Sequence, residues 1–199
     1  GEVDASNPYS QVNLCNYTGD TPEHVDCCRR QLCQHLGIEP QRLIMPRQTH
    51  TADVAVVGEG YFALTDAERE ALLNEKDAIV TTLSGVAIGV NTADCVPIIL
   101  ADEVNGVIAA AHAAWKGTAH RIAAATVAAM VEQGASVANI HAAIGASICQ
   151  DCFEVGDEVV QHFEENLTYF RPDELQLNKG SYVKIIGGKF DGAKGELLK

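Results

Sequence analysis

The sequence predicts a mixed α/β fold in which helices cover a mixed β-sheet. Segments with helical spacing and capping signals alternate irregularly with short apolar runs that are typical of strands. Several of these runs are apolar almost without interruption, which indicates strands covered on both faces. With 199 residues, 47% of them hydrophobic, the chain can form one domain over residues 1–199 with a substantial core.

The predicted elements follow from spacing and from signals at their ends. Thr65 and Glu68 form a capping box at the start of the second helix, and Gly37 ends the first. The four predicted helices run from Thr21 to Gly37, from Thr65, from Thr118 to Gln133 and from Val155 to Phe163. The six predicted strands are Val54–Val57, Ala78–Thr81, Val86–Val90, Pro97–Ala101, Val107–Ala111 and Ile140–Ile144.

A predicted β-hairpin brings two chemically versatile residues to one end of the sheet. Its strands flank a short loop that ends in Asn-Gly, a strong signal for a hairpin turn. Pairing of Ala101 with Val107 sets the expected register. Cys95 then falls opposite Ala113, and a shift of one residue places it opposite His112, so the thiol and the imidazole share the open end.

Cys95 and His112 allow more than one interpretation. A cysteine and two histidines suit zinc or copper with a fourth position open, and His50, at a turn between two apolar runs, is the best candidate for the third ligand. A Cys–His pair alone is the minimum for a thiolate nucleophile. A buried thiol beside a core histidine is the simplest alternative.

Composition argues against several classes of partner and compartment. Acidic residues outnumber basic ones by 27 to 14, and the net charge of -13 disfavours nucleic acid. The apolar stretch from Gly106 to Trp115 is too short to span a bilayer, so no membrane partner is expected. The absence of a leader pattern and the odd number of cysteines, seven, indicate a reducing cytoplasmic location with mostly buried thiols. Cys149 and Cys152 form a CxxC sequence that we interpret as a loop with two free thiols.

Several motifs occur in order between about Asn7 and Val160. The three most distinctive are Gln48-Thr49-His50, Thr92-Ala93-Asp94-Cys95-Val96-Pro97 and His112-Ala113-Ala114-Trp115-Lys116-Gly117. Further motifs are Pro8-Tyr9-Ser10-Gln11-Val12-Asn13-Leu14, Gly19-Asp20, Arg29, Ile144-Gly145-Ala146-Ser147-Ile148 and Phe153-Glu154-Val155-Gly156. Together they resemble the signature motifs of the YfiH-like proteins, also called laccase-domain or multicopper polyphenol oxidase proteins, a family that includes purine nucleoside phosphorylases.

The resemblance implies a layered α/β/β/α sandwich and a zinc site formed by His50, Cys95 and His112. It also implies an enzyme that phosphorolyses adenosine, inosine and methylthioadenosine and deaminates adenosine. Its substrates would be a purine nucleoside and phosphate. Copper-dependent oxidation of phenols is the older assignment in this family, so copper is the alternative metal.

The resemblance also suggests roles for residues around the three ligands. Arg29 could hold phosphate by charge-assisted hydrogen bonds, and otherwise it is an exposed helix arginine. Asp94 could act with Cys95 and His112 in catalysis by handling protons, or it could cap local backbone. Gln48 and Asn13 could bind polar groups of the substrate, or they could make ordinary turn hydrogen bonds.

Two other functions and one unusual segment complete the sequence-based expectations. A Cys–His hydrolase and a non-catalytic, metal-containing binding or cell-wall-editing factor are the alternatives to a purine enzyme. The segment 180–199 differs from the cysteine- and arginine-containing segment that the family has at its C-terminus, and its glycine spacing resembles a KOW motif. We expect it to form two edge strands that complete the sheet. The sequence contains no signal that predicts the number of subunits.

Overall fold

The computed structural model describes residues 4, 6–166, 182–184 and 194–196, and its elements are bounded as follows. The strands are β1 (Leu43–Ile44), β2 (Val54–Val57), β3 (Ala78–Thr81), β4 (Ala87–Ile88), β5 (Val96–Asp102), β6 (Val107–Ala113), β7 (Ile140–Ile144), β8 (Tyr182–Lys184) and β9 (Lys194–Glu196). The α-helices are α1 (Pro22–Leu36), α2 (Asp66–Leu73), α3 (Trp115–Ala119), α4 (Ile122–Glu132) and α5 (Asp157–Asn166).

A five-stranded mixed sheet in the order β2-β3-β6-β5-β7 forms the centre of the fold. Strands β2 and β3 are parallel, and the remaining neighbours are antiparallel. A second, two-stranded sheet pairs β1 with β4 in parallel. These sheets confirm the predicted mixed α/β class with mixed sheets.

The core lies on both faces of the central sheet. On one face Val80, Leu100 and Val107 pack with Met130 of α4. On the other face Ile79, with Ala55 and Val57 of β2, packs against the small sheet and against leucines of α2. The central sheet is thus covered by α4 on one face and by the small sheet together with α2 on the other, in keeping with the layered arrangement that the family resemblance implied. Among the described residues, no helix combines the length and the apolar character needed to cross a bilayer.

The hairpin is formed, but its predicted register is wrong by one residue. Asp102, not Ala101, pairs with Val107, and Pro97 therefore lies opposite His112. The carboxylate of Asp102 accepts hydrogen bonds from the backbone N–H groups of Val104 and Asn105, so Asp102 ends the strand and shortens the loop. Cys95 lies just outside β5, one residue beyond the end of the paired strands.

The predicted third helix is two helices. Arg121, between α3 and α4, has a φ of 68°, a left-handed conformation that interrupts the helical backbone. The fourth predicted helix also begins later than expected, at Asp157. The first helix and the capping box of Thr65 and Glu68 are confirmed.

The C-terminal segment 180–199 lies largely outside the described residues. Its described parts, β8 and β9, pair with each other in a two-stranded antiparallel sheet, separate from the central sheet. The expected completion of the central sheet by these strands is thus not seen in their hydrogen bonding. That residues 1–199 form one domain remains a prediction.

Candidate metal centre and its pocket

Three side chains from separate segments converge at one end of the central sheet. His50, Cys95 and His112 each present a potential ligand atom, and these atoms all lie within 4.8 Å of one another. The imidazole rings of the two histidines are 5.1 Å apart, with an angle of 67° between their planes. Within the described parts of the chain, this is the one group of three or more such residues that could hold a metal ion.

The side chains differ in exposure, as a site open to a ligand requires. His112 lies on the buried strand β6 and is 5% exposed, Cys95 is half-buried directly before β5, and His50 is exposed in the loop before β2. Two imidazoles and a thiol form a donor set that suits zinc or copper, whereas magnesium and calcium prefer oxygen ligands. The geometry and the donor types therefore fit a metal ion.

Asp77, directly before β3, orients His112. Its Oδ1 lies 2.7 Å from Nδ1 of His112, and its backbone oxygen accepts the N–H of His112 at 2.7 Å. Because a carboxylate can only accept, Nδ1 of His112 carries the proton, and Nε2 keeps the lone pair that a metal would need.

The same carboxylate holds the loop that carries His50. Oδ1 of Asp77 accepts the backbone N–H of His50 at 3.1 Å, and Oδ2 accepts those of Thr49 and Thr51 at 3.1 and 2.7 Å. His50 has a φ of 65°, which is unfavourable for a residue with a side chain and therefore needs external support. These hydrogen bonds provide that support.

The pKa values of the acidic groups follow from these contacts. Burial by itself would raise the pKa of Asp77, but the hydrogen bonds from His112, Thr51 and Thr49 outweigh it and lower the pKa to about 2. Burial, and then the charges of Asp94 and Asp77, raise the pKa of Cys95. Without a metal ion, Cys95 therefore stays mainly in its neutral thiol form, and either a bound cation or a nearby base would be needed to produce the thiolate.

The three residues line a pocket with a volume of about 700 Å³. Its lining includes the predicted residues Asn13, Gln48 and Asp94. Gln48 is buried, and its side-chain amide pairs with the backbone of Asn91: Nε2 donates to the oxygen and Oε1 accepts the N–H, both at 2.7 Å. Gln48 therefore joins two walls of the pocket. Nδ2 of Asn13 donates to Asp20 and Thr18 at 3.0 Å.

Arg29 lies behind the pocket rather than in its lining. Its Nη1 donates to the backbone oxygen of Leu14 at 2.9 Å, and its Nη2 donates to that of Leu43 at 3.3 Å. Leu14 does line the pocket. In this structure the guanidinium thus supports the pocket wall.

Sequence reasoning missed Asp77 and Tyr17. Asp77 directly precedes the apolar run of β3, and an acidic residue at that position could have drawn attention as a buried carboxylate. Tyr17 lines the pocket, and its hydroxyl lies 3.3 Å from both Oε1 and the backbone nitrogen of Gln48. No local pattern in the sequence marks it.

Comparison with known proteins identifies the family. The family described as "Multi-copper polyphenol oxidoreductase laccase" matches residues 2–184. The chain belongs to this family. The laccase-domain fold is also found in solved structures: Bacillus licheniformis YfiH has a TM-score of 0.71 and 28% identity, covering 84% of this chain and 62% of YfiH. Geobacillus stearothermophilus YlmD has a TM-score of 0.68 and 29% identity, covering 80% of this chain and 59% of YlmD.

Two curated relatives of this laccase-domain chain carry enzyme names. It is 54% identical over 165 residues to "Adenosine deaminase RL5" from an unknown prokaryotic organism, covering 83% of the chain and 63% of that protein. It is 42% identical over 159 residues to "Purine nucleoside phosphorylase ORF3" of Streptomyces griseus, covering 80% of the chain and 62% of that protein. The chain therefore spans about three fifths of the length of these relatives.

Proposed function

We propose that the chain provides the metal centre of a zinc-dependent enzyme that acts on purine nucleosides. The reactions are deamination of adenosine and phosphorolysis of adenosine, inosine and methylthioadenosine. The convergence of His50, Cys95 and His112 within 4.8 Å in one pocket carries the proposal. The names of the relatives, adenosine deaminase and purine nucleoside phosphorylase, support it.

The three converging residues would hold the zinc ion, with His112 binding through Nε2. A zinc ion with three protein ligands keeps one position open, where it activates water or polarises a substrate atom. Asp77 supports this role because it fixes the proton on Nδ1 of His112 and the backbone around His50.

The pocket suits a nucleoside in size and chemistry. Its volume of about 700 Å³ lies within the range of small-molecule sites. Val12, Leu14 and Val90 offer apolar surface to a purine base, and Tyr17 offers an aromatic ring. Asn13 lies among them and would hydrogen-bond to polar groups of the sugar or the base.

Asp94 and Arg29 would complete the chemistry. Asp94 is exposed in the pocket next to Cys95, where its carboxylate would take up and return a proton. A guanidinium has five N–H donors, and Arg29 uses some of them for its hydrogen bonds to Leu14 and Leu43. The N–H groups that these bonds do not use would bind phosphate.

Metal analysis tests the centre itself. We expect about one zinc per chain in the purified protein. His112→Ala should lose both the metal and the activity, while His141→Ala, which changes an exposed histidine on β7, should retain both. Full zinc content in the His112→Ala variant would contradict the proposed ligand set.

Product analysis tests the reaction. Adenosine is incubated with the protein, with and without phosphate, and the products are separated by chromatography. Deamination gives inosine whether or not phosphate is present, whereas phosphorolysis gives adenine and ribose 1-phosphate only with phosphate. Arg29→Lys should raise the KM for phosphate by a larger factor than the KM for adenosine in deamination, because the deamination reaction needs no phosphate. Zinc binding with no turnover of any nucleoside would instead favour a non-catalytic binding or cell-wall-editing factor.

The family description supports a second candidate, copper-dependent oxidation of phenols. Histidine and cysteine also suit copper, so the residues at the centre are compatible with it. Oxygen uptake with a phenol after copper loading, without turnover of nucleosides, would favour this function. A Cys–His hydrolase would keep its activity after chelation and lose it when Cys95 is alkylated.

A further inference from the structure

Cys149 and Cys152 form a close pair of exposed thiols outside the candidate metal centre. Their Sγ atoms are 3.1 Å apart, and both side chains reach solvent. A short 3-10 turn, Gln150–Cys152, joins them, and the backbone N–H of Cys152 donates to the oxygen of Cys149 at 3.1 Å. The turn thus holds two accessible sulfur atoms close together.

The other cysteines have different surroundings. Cys15, Cys28 and Cys33 are buried, and Cys95 belongs to the candidate metal centre. Cys27 is exposed like the pair, but its sulfur accepts a hydrogen bond from the side-chain amide of Gln31 at 3.7 Å. In the described residues, no third potential ligand joins the pair to form a metal-binding group.

We propose that Cys149 and Cys152 form a thiol–disulfide exchange site that reacts with small disulfides. The thiolate of Cys149 attacks one sulfur of the small disulfide, forms a mixed disulfide and releases one thiolate. Cys152 then loses its proton and attacks the sulfur of Cys149, which forms the intramolecular disulfide and releases the second thiolate. The protein loses two electrons and two protons, and the small disulfide becomes two thiols.

The electrostatics of the pair fit this order of attack. The hydrogen bond with the Cys152 thiol, and then the backbone of Cys152, lower the pKa of Cys149. The same contact raises the pKa of Cys152. The thiol with the lower pKa is the more ionised one at neutral pH and attacks first, and its neighbour then resolves the mixed disulfide.

The site is close to the pocket but separate from the ligands. The backbone N–H of Ile148 donates to the oxygen of Asp94 at 2.9 Å, so the turn is attached directly to the segment that precedes Cys95. Neither Cys149 nor Cys152 lines the pocket. Exchange at the pair can therefore be measured whether or not the chain binds zinc or turns over a nucleoside.

Oxidised glutathione is the test reagent, applied to the full reduced chain. Free thiols are then blocked with N-ethylmaleimide, and the sites are mapped by mass spectrometry of peptides. We expect an intramolecular disulfide between Cys149 and Cys152, formed at least about tenfold faster than any glutathione adduct at Cys27. The Cys27→Ser variant should form this disulfide at the same rate.

Single variants of the pair separate the two steps. Cys152→Ser should accumulate glutathione on Cys149, because the resolving thiol is missing, whereas Cys149→Ser should react at the slow rate of Cys27. The proposal would be overturned if, in the unmodified chain, Cys149 and Cys152 stayed free for N-ethylmaleimide as long as Cys27 does and no disulfide between them were mapped. Equal accumulation of glutathione in the two variants would overturn the assigned order of attack.

Discussion

Asp77 connects the protonation of one histidine to the backbone conformation of another. Its side chain is fully buried and accepts hydrogen bonds from His112, from the backbone of His50 and from both neighbouring threonines. A buried carboxylate requires such compensation, because an unpaired charge in the interior is very unfavourable. The residue that organises the centre is thus one that would not itself bind the metal.

Asp77→Asn should therefore weaken the site without removing a ligand. An amide has one acceptor oxygen, so several of the five N–H and O–H donors around residue 77 would lose their partner. We expect about a 10- to 100-fold loss of zinc affinity, measured by competition with a chelator. We also expect a loss of about 1–3 kcal/mol in the free energy of unfolding.

Asp53→Asn is the matched control for that variant. Asp53 is an exposed carboxylate at the same end of the sheet, and it lies 3.6 Å from the amine of Lys76. Exposed ion pairs contribute little, so zinc affinity and stability should both stay close to those of the unmodified chain. Unchanged zinc affinity in Asp77→Asn would show that the carboxylate does not position His112.

Helix α3 approaches the loop of His50 so closely that only glycine fits at the contact. A Cβ atom on Gly117 would lie 2.7 Å from the backbone oxygen of Thr51. Thr51 in turn donates to Asp77 through both its backbone and its hydroxyl. The absence of a side chain at position 117 therefore allows the helix to pack against the segment that carries His50 of the candidate metal centre.

We expect Gly117→Ala to lower the free energy of unfolding by about 1–3 kcal/mol, because the backbone must move to relieve the overlap. Gly60→Ala is the control, since nothing lies within 4 Å of a Cβ at that position. That variant should be neutral or slightly stabilising. Urea denaturation followed by circular dichroism measures both. Equal stability of the two variants would contradict the close approach of α3.

The hairpin between β5 and β6 depends on the buried carboxylate of Asp102. Besides the loop N–H groups, it accepts the side-chain amide of Asn105 at 2.8 Å and the backbone N–H of Ser136 at 2.7 Å. The amide of Asn105 lowers the pKa of Asp102, burial opposes this, and the N–H groups of Ser136, Asn105 and Val104 lower the pKa further. The ionised form therefore stabilises the turn.

This lowered pKa predicts the direction of a pH effect. The stabilisation is complete above the ordinary carboxyl pKa of 3.8 and is lost as the pH falls through the lower folded-state value. In Asp102→Asn, which does not titrate, the free energy of unfolding should start lower and fall less steeply with acid. Glu103→Gln, at an exposed position in the same loop, should keep the original profile. Denaturation over a pH series measures the slope, and identical slopes in all three proteins would contradict the assignment.

Burial differs sharply between the centre and the edge of the main sheet. Ile79 on β3 is fully buried between the two apolar layers, whereas Ile144 on the edge strand β7 is 71% exposed. The groove between α4 and the strands β5 and β7 has a volume of about 790 Å³ and an apolar lining. The well-packed core is thus displaced toward β2, β3 and β6.

The same substitution at these two isoleucines should have very different effects. Ile79→Ala should lower the free energy of unfolding by about 2–5 kcal/mol, because it leaves a cavity in the packed core. Ile144→Ala should change it by less than about 0.5 kcal/mol, because its side chain is already largely in water. Chemical denaturation provides the measurement. A large effect at Ile144 would mean that the edge of the sheet is covered in solution.

Elements whose signals lie within a few residues were predictable. The caps of α1 and α2 and the strands β2, β3 and β7 have the predicted bounds, because capping boxes, glycine stops and apolar runs are local properties of the chain. The hairpin register was not predictable with the same accuracy. Asp102 ends β5 partly through a hydrogen bond from Ser136, a residue far along the chain.

The candidate metal centre likewise has features that the sequence predicts and features that only the folded structure shows. The residue types and their ordered motifs were enough to name His50, Cys95 and His112, because few side chains suit zinc or copper. Their approach to within 4.8 Å depends on the folded sheet, and so does the position of Asp77 between the histidines. Arg29 likewise supports the pocket wall through Leu14. The amino-acid sequence alone determines which side chains are available and in which order their motifs occur. The distances between remote segments are set only when the strands pack, because polar groups that become buried must then form hydrogen bonds with groups far along the chain.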